Sequence, residues 1–294
     1  MRIRACPAGT WEFAQRLPHP ALRPGVLGYR GFRLALGRPR RRLEIPCAAV
    51  TLVLNLGGRP LRVRCAATGQ TLVHTAAPLV SGMVSRPTLG EHDGHLHGIE
   101  VTLRPWAAFR LFGVDMHELG NTVGETSALT GTRYPDLCGV LAGTAGWQDR
   151  FRILDAALRL WIRDGPAPCP RTVWAWDRLE RSGGTLPVHT LAAETSWSER
   201  QLERRFREQI GLPPRTAARV LRVRRVLGSL SAGMRPSEAA TLAGFYDQAH
   251  LNRDFKAMTA HSPSRFLALR ASARPGPAEV DRVSGEVTSA VLTA

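Results

Sequence analysis

The stretch Ala239-Ala240-Thr241-Leu242-Ala243-Gly244-Phe245-Tyr246-Asp247-Gln248-Ala249-His250-Leu251-Asn252-Arg253-Asp254-Phe255-Lys256 decides the reading of the C-terminal third of the chain. Small and apolar residues run up to Gly244, a turn signal, and Asp247 stands where it can cap a following helix. Leu251, Phe255 and Met258 then fall on one side of that helix. The arrangement occurs twice. Leu191-Ala192 and Ser196-Trp197 precede Ala239-Ala240 and Gly244-Phe245 by 48 positions, whereas Leu202, Arg204 and Phe206 precede Leu251, Arg253 and Phe255 by 49. One residue is therefore added in the second turn, and Pro214 and Pro263 close the two units. A short helix, a tight turn and a longer helix, given twice, is what two helix-turn-helix units require.

Each longer helix has a start signal and two faces. Ser198 caps the first, with Gln201 as its capping-box partner, and Leu202, Phe206 and Ile210 face inward. Arg200, Glu203, Arg204 and Arg207 then point outward together. On the second helix the outward set is Gln248, Ala249, Asn252, Arg253 and Lys256. These types suit the major groove of DNA: arginine takes guanine O6 and N7 together, and Asn or Gln pairs with adenine N6 and N7. Arg205 lies beside the apolar face, placed to pack or to pair with an acid. From Arg215 to Ser229 a connecting helix is expected, with Val220, Leu221, Val223, Val226 and Leu227 buried. Its arginines, Arg219, Arg222, Arg224 and Arg225, either solvate it or touch phosphate. A rigid connector would hold the reading helices in successive major grooves, roughly 34 Å apart.

Upstream the period changes to two. Val50 to Leu56 is rich in β-formers, Gly57-Gly58 turns the chain, and Leu61 to Cys65 alternates apolar with charged. Shorter runs at Leu79 to Val84 and Ile99 to Leu103 complete the pattern of a small β-sandwich or barrel. Pro105 opens a helix through Leu111, and Trp147 to Arg163 reads as a longer one. The fold class expected is α+β with two domains: residues 1–164 β-rich with flanking helices, 165–171 a Pro-rich linker, and 172–270 all-α. Residues 271–294, with Pro275, Gly276 and Pro277 and then small polar residues, read as a disordered tail.

Composition narrows the function classes. Forty Lys+Arg against 24 Asp+Glu give a formal charge of +16, which favours polyanions, nucleic acid first and an anionic membrane surface second. Lys256 is the single lysine, and the arginine bias together with many Ala, Gly and Pro also fits a GC-rich coding sequence. Five scattered cysteines, none in a C-x-x-C pair, indicate neither a zinc site nor a disulfide framework and suit a reducing cytoplasm. The N-terminus lacks a signal-peptide apolar run, and no stretch approaches the length of a membrane span.

The two C-terminal runs, Leu191-Ala192 through Ser198-Glu199-Arg200-Gln201-Leu202-Glu203-Arg204-Arg205-Phe206 to Gly211-Leu212-Pro213-Pro214, and Ala239 through Lys256 to Ser262-Pro263-Ser264-Arg265-Phe266, resemble the two halves of the AraC/XylS-type DNA-binding domain. The resemblance covers about a hundred residues. It implies a transcriptional regulator whose two recognition helices enter major grooves through Arg200, Glu203 and Arg204, and through Gln248, Ala249, Asn252 and Arg253. It further implies an N-terminal domain that senses an effector or dimerises, so that promoter DNA, a small-molecule effector, a second copy of the chain and, for an activator, RNA polymerase are the partners to expect. Ala260 departs from the family's usual glycine, so a differently shaped helix end is expected there, and Ala239 replaces a larger aliphatic residue. Glu203 is an acid at a reading position, able to accept from cytosine N4 or to weaken non-specific binding.

Other chemistry is less well supported. His92, His95 and His97 with Glu100 invite a metal reading, but the spacing reads more simply as a polar hairpin leading into the strand at Ile99. No cysteine has the neighbours an alkyl-transfer nucleophile needs, and no G-x-S-x-G, phosphate loop or dinucleotide fingerprint is present. Neither a catalytic residue nor a cofactor is expected.

Overall fold

The computed structural model describes residues 2–6, 9–272, 281–282 and 286–292. Ten strands come first: β1 (Arg2–Cys6), β2 (Gly9–Arg16), β3 (Val26–Leu36), β4 (Arg40–Glu44), β5 (Val50–Asn55), β6 (Leu61–Cys65), β7 (Thr71–Thr75), β8 (Leu79–Ser81), β9 (Thr88–His92) and β10 (His95–Leu103). Helix α1 (Pro105–Phe112), strand β11 (Val123–Glu125) and helices α2 (Ser127–Thr130), α3 (Arg133–Gly143) and α4 (Trp147–Asp164) follow. The rest is helical: α5 (Pro170–Arg181), α6 (Val188–Glu194), α7 (Glu199–Ile210), α8 (Pro214–Ser231), α9 (Pro236–Leu242), α10 (Gln248–Thr259) and α11 (Pro263–Ser272). Strand β12 (Ser289–Leu292) is the last element described.

The strands form two antiparallel sheets. One has the order β1-β2-β3-β10-β5-β8-β11, the other β12-β4-β9-β6-β7. Gly57-Gly58, read as a turn, carries the chain from β5 in the first sheet to β6 in the second; Gly58 is in the left-handed region at φ 65°. The first sheet is covered on both faces, which explains the nearly continuous burial of β5. Val50, Leu52 and Leu54 of β5, with Ile99, Val101 and Leu103 of β10, pack against α1, α3 and α4 through Leu111, Tyr134, Phe151 and Leu154. The alternate residues face the second sheet, where Phe13, Phe32, Val53, Val63, Leu79 and Val123 form a separate apolar cluster.

The all-α part is not a free-standing body. Leu202, Phe206, Ile210 and Leu212 share one continuous core with Met116, Leu119, Leu111 and Trp176, so α7 is seated on α1 and on the 3-10 turn Met116–Glu118. There the backbones touch: a Cβ on Gly120 would collide with the Gly211 carbonyl oxygen. Arg104 spans the same junction, with Nη1 at 3.0 Å from Asp177 and 2.7 Å from Glu180 of α5. Helix α5 begins at Pro170, two residues inside the stretch read as linker, and Cys169 N–H donates to Gln209 Oε1 at 2.8 Å.

The tail departs from the expectation of disorder. Residues 273–280, 283–285 and 293–294 lie outside the described residues, but Ser289–Leu292 pairs with β4 in register Ser289↔Glu44 to Leu292↔Arg41. Val287 and Ala290 are buried among Leu43 and Ile45 on the barrel side and Val223, Leu230, Phe255 and Phe266 on the helical side. Apolar burial on both flanks is what holds this short segment as a strand.

Candidate nucleic-acid interface

Both longer helices are built as their sequences dictate. Ser198 Oγ accepts from Gln201 N–H at 3.2 Å, Gln201 Oε1 accepts from Ser198 N–H at 3.0 Å, and the capping box is complete. Leu202, Phe206 and Ile210 are fully buried. Asp247 Oδ1 accepts from His250 N–H at 2.6 Å to start α10, whose Leu251, Phe255 and Met258 are buried. The turns match as well, since Ser196 at φ 55° and Gly244 at φ 71° occupy the same left-handed position 48 residues apart. Ala260 ends α10 at φ 61°, ψ 0° in a left-handed cap, so this helix end has the usual shape although it lacks glycine.

Arg200, Glu203, Arg204 and Arg207 on α7 and Gln248, Ala249, Asn252, Arg253 and Lys256 on α10 are all solvent-exposed. Within the first set, Arg207 is drawn back along the helix to Glu203, Nη2 to Oε1 2.9 Å. Tyr246, which precedes the α10 cap, is 94% exposed and extends the outward surface of the second unit. The sequence reading passed over it; a large aromatic in a turn, next to a helix cap and outside the apolar period, was its signal.

The connector's arginines serve the scaffold. Arg219 grips Asp254 of α10 through Nη2 at 2.7 Å and Nε at 3.2 Å. Burial opposes the positive charge of Arg222, whose guanidinium lies over the Phe245 ring at 5.3 Å. Arg224 reaches Glu180 and Glu286, and Arg225 donates to the Ser182 carbonyl. Arg205 pairs with Glu208, Nη1 to Oε2 2.9 Å. These ties fix α8 between α5 and α10, and so fix the two outward faces relative to each other.

The histidine cluster is a hairpin in which the candidate ligands separate. Asp93-Gly94 turns β9 into β10, with Gly94 at φ 107°. His92 Nδ1 accepts from Gly94 N–H, His95 lies beside Asp93, and His97 meets Arg150 at 3.1 Å. Glu100 projects from the opposite face of β10, where Arg30 and Arg42 hold it. Among the described residues no group of three or more His, Cys, Asp or Glu is arranged to hold a metal ion. Among them, too, no helix is long and apolar enough to cross a membrane.

Between the sheets lies a cavity of about 100 Å³. Phe13, Phe32, Val53, Val63, Leu79 and Val123 line one part, and the other carries Arg30, Arg40, Arg42, Glu44, Glu100 and Arg282. Glu100 is buried, which alone would raise its pKa, yet Arg30, Arg42 and Arg282 outweigh that and hold it down at about 2. Burial, then Arg42, lower the pKa of His92 at the rim to about 4, so it is neutral at pH 7.

Comparison with known proteins bears on these features. Residues 191–268 match the family model described as a helix-turn-helix domain. An uncharacterised HTH-type transcriptional regulator of Bacillus subtilis (strain 168), YbfI, is 32% identical over 72 residues, covering 24% of this chain and 26% of its own. The match thus spans about a quarter of that relative's length. Among solved structures, ToxT from Vibrio cholerae O395 overlays with TM-score 0.46 at 11% identity, covering 80% of this chain and 98% of its own. The AraC-like transcriptional activator CuxR overlays with TM-score 0.24 at 15% identity, covering 79% and 90%.

Proposed function

We propose, from the premise that residues 191–268 are a helix-turn-helix domain of the AraC type, that this chain is a sequence-specific transcriptional regulator which reads promoter DNA with α7 and α10. The observation that carries the reading is the pair of capped helices, each burying its apolar side and turning arginine or amide side chains to solvent. Arg200, Arg204, Gln248, Asn252 and Arg253 are assigned to base edges, with Glu203 and Ala249 beside them on the same faces. Arg207 and Lys256, nearer the helix C-terminal ends, are assigned to phosphate. The net charge of +16 supplies the sequence-independent part of the affinity. The cavity between the sheets is the natural place for a small-molecule effector, which makes the β-rich part a sensing module. A second copy of the chain, and RNA polymerase if the protein activates, complete the partners in this reading, and its setting is the cytoplasm. No catalytic step is part of it.

Fluorescence anisotropy of the full chain on its own upstream DNA and on a scrambled duplex, across a salt series, tests the proposal. A preference for the upstream DNA that persists as salt rises is expected. Binding that is equal on both duplexes and steeply salt-dependent reduces the interface to charge alone.

A further inference from the structure

The two helix-turn-helix units align up to the turn and again from the cap, and one residue separates the two registers. Helix α9 starts 48 residues after α6, Gly244 takes the left-handed place of Ser196 at the same distance, and Phe245 stands for Trp197. The cap Asp247 and the start of α10 lie instead 49 residues after Ser198 and the start of α7. The added residue is therefore Tyr246, the one position of this turn without a counterpart in the first unit.

Tyr246 does nothing for the packing of its own unit. The residue is 94% exposed, and its hydroxyl has no hydrogen-bond partner among the described residues. Its backbone, by contrast, is pinned from both sides. Phe245 N–H donates to the Ala240 carbonyl at 3.0 Å, and the buried Phe245 ring lies against the Arg222 guanidinium and the His250 ring. On the other side Asp247 accepts from His250 N–H. A side chain held at its root and free at its tip has little order to gain on contact, which suits a presented binding group.

A helix that reads the major groove meets base edges with its N-terminal residues, while the helix before it crosses the backbone, so the turn between them lies at the groove's rim. With Gln248 of α10 assigned to a base edge, Tyr246 stands two residues outside it, at that rim. A phenol there offers one hydrogen-bond donor to a phosphate oxygen and an apolar ring to a deoxyribose. We propose that Tyr246 hydrogen-bonds a backbone phosphate beside the half-site read by α10. The contact belongs to the second unit alone, so it marks which end of a bipartite site that unit takes. This inference rests on the reading of α10 as a groove-reading helix, and adds to it a backbone contact that carries no charge.

Fluorescence anisotropy of the full chain on its labelled upstream duplex tests it, with Tyr246→Phe and Tyr246→Ala beside the wild type. At 94% exposure both changes leave the fold intact. Tyr246→Phe is expected to weaken binding about tenfold, and Tyr246→Ala at least as much. The salt dependence stays as steep as in the wild type, whereas losing a phosphate-bound cation would lower its slope by about one. Duplexes with a single neutral methylphosphonate, moved along the backbone, locate the contact. At one position wild-type affinity falls to that of Tyr246→Phe, and the variant loses little more. Wild-type affinity in Tyr246→Phe, a shallower salt slope in that variant, or a scan in which the two losses add at every position overturns the proposal. A chain that selects its upstream DNA and is indifferent to both changes at Tyr246 loses this inference and keeps its function. A chain that Tyr246→Phe weakens equally on upstream and scrambled DNA, with no preference between them, does the reverse.

Discussion

Arg204 and Arg253 occupy equivalent places on the two reading helices, and among the described residues neither is tied to an acid by an ion pair. Replacing either by alanine should cost about 1–3 kcal/mol on the cognate site, by anisotropy. An equal loss on every duplex would move that arginine from base reading to phosphate contact. Ala260 supports the opposite kind of change. Its left-handed φ of 61° costs an L-residue about 1 kcal/mol, so Ala260→Gly should raise the thermal midpoint, and a lowered midpoint would contradict that account. Protonation acts at the same scale. Burial, then cationic neighbours, lower the pKa of both His92 and His97 from 6.5 to about 4. The unfolded chain therefore takes up these protons first, and the stability due to neutral histidine, complete above pH 6.5, is lost as pH falls toward 4. Glu100, held at about 2 against an ordinary 4.5, adds a loss below pH 4.5. Thermal midpoints should fall from pH 6.5 downward, and a His92→Asn/His97→Asn variant should flatten the upper part of that fall; an unchanged slope would place the titration elsewhere.

At the scale of elements, the close approach of Gly120 to Gly211 seats α7 on the 3-10 turn after α1. A Gly120→Ala side chain has only backbone to meet, so the two must part. The expected readout is faster proteolysis within residues 165–169, and unchanged cleavage would show that the seat is not needed. The elements differ in how far their sequence announces them. Helices α7 and α10 were legible because cap, apolar period and turn all fall within about twenty residues and agree. The roles of Arg219 and Arg224 were not, because their partners Asp254, Glu180 and Glu286 lie on other elements. Arg40, Arg41 and Arg42 are consecutive, and nothing in their order marks Arg42 as the one that turns inward to Glu100, 58 residues away. Strand β12 had no local signal at all: four small or aliphatic residues in a polar tail become a strand only against β4 and the second unit's core.

For the whole molecule, the first helix-turn-helix unit shares a core with the helices flanking the first sheet, and the second shares one with β4 and β12. The order of elements runs from β-rich to all-α, and packing makes the two parts continuous. A chain ending at Ser272 would uncover Leu43, Ile45 and Phe266 together. It should melt at lower temperature and bind a hydrophobic dye more strongly than the full chain; identical melting would mean that β12 contributes nothing to the fold. The distance between β4 and its partner also matters while the protein is being made. Glu44 waits for Ser289, and at ordinary elongation rates of about 5–20 residues per second the ribosome needs tens of seconds to get there. For that interval the nascent barrel carries an open strand edge, the kind that recruits neighbouring chains into aggregates. Of the three arginines of β4, Arg40 is buried and Arg42 turns inward, so Arg41 is the exposed charge on that edge, of the kind that discourages pairing with a neighbouring chain until the chain's own distant strand arrives.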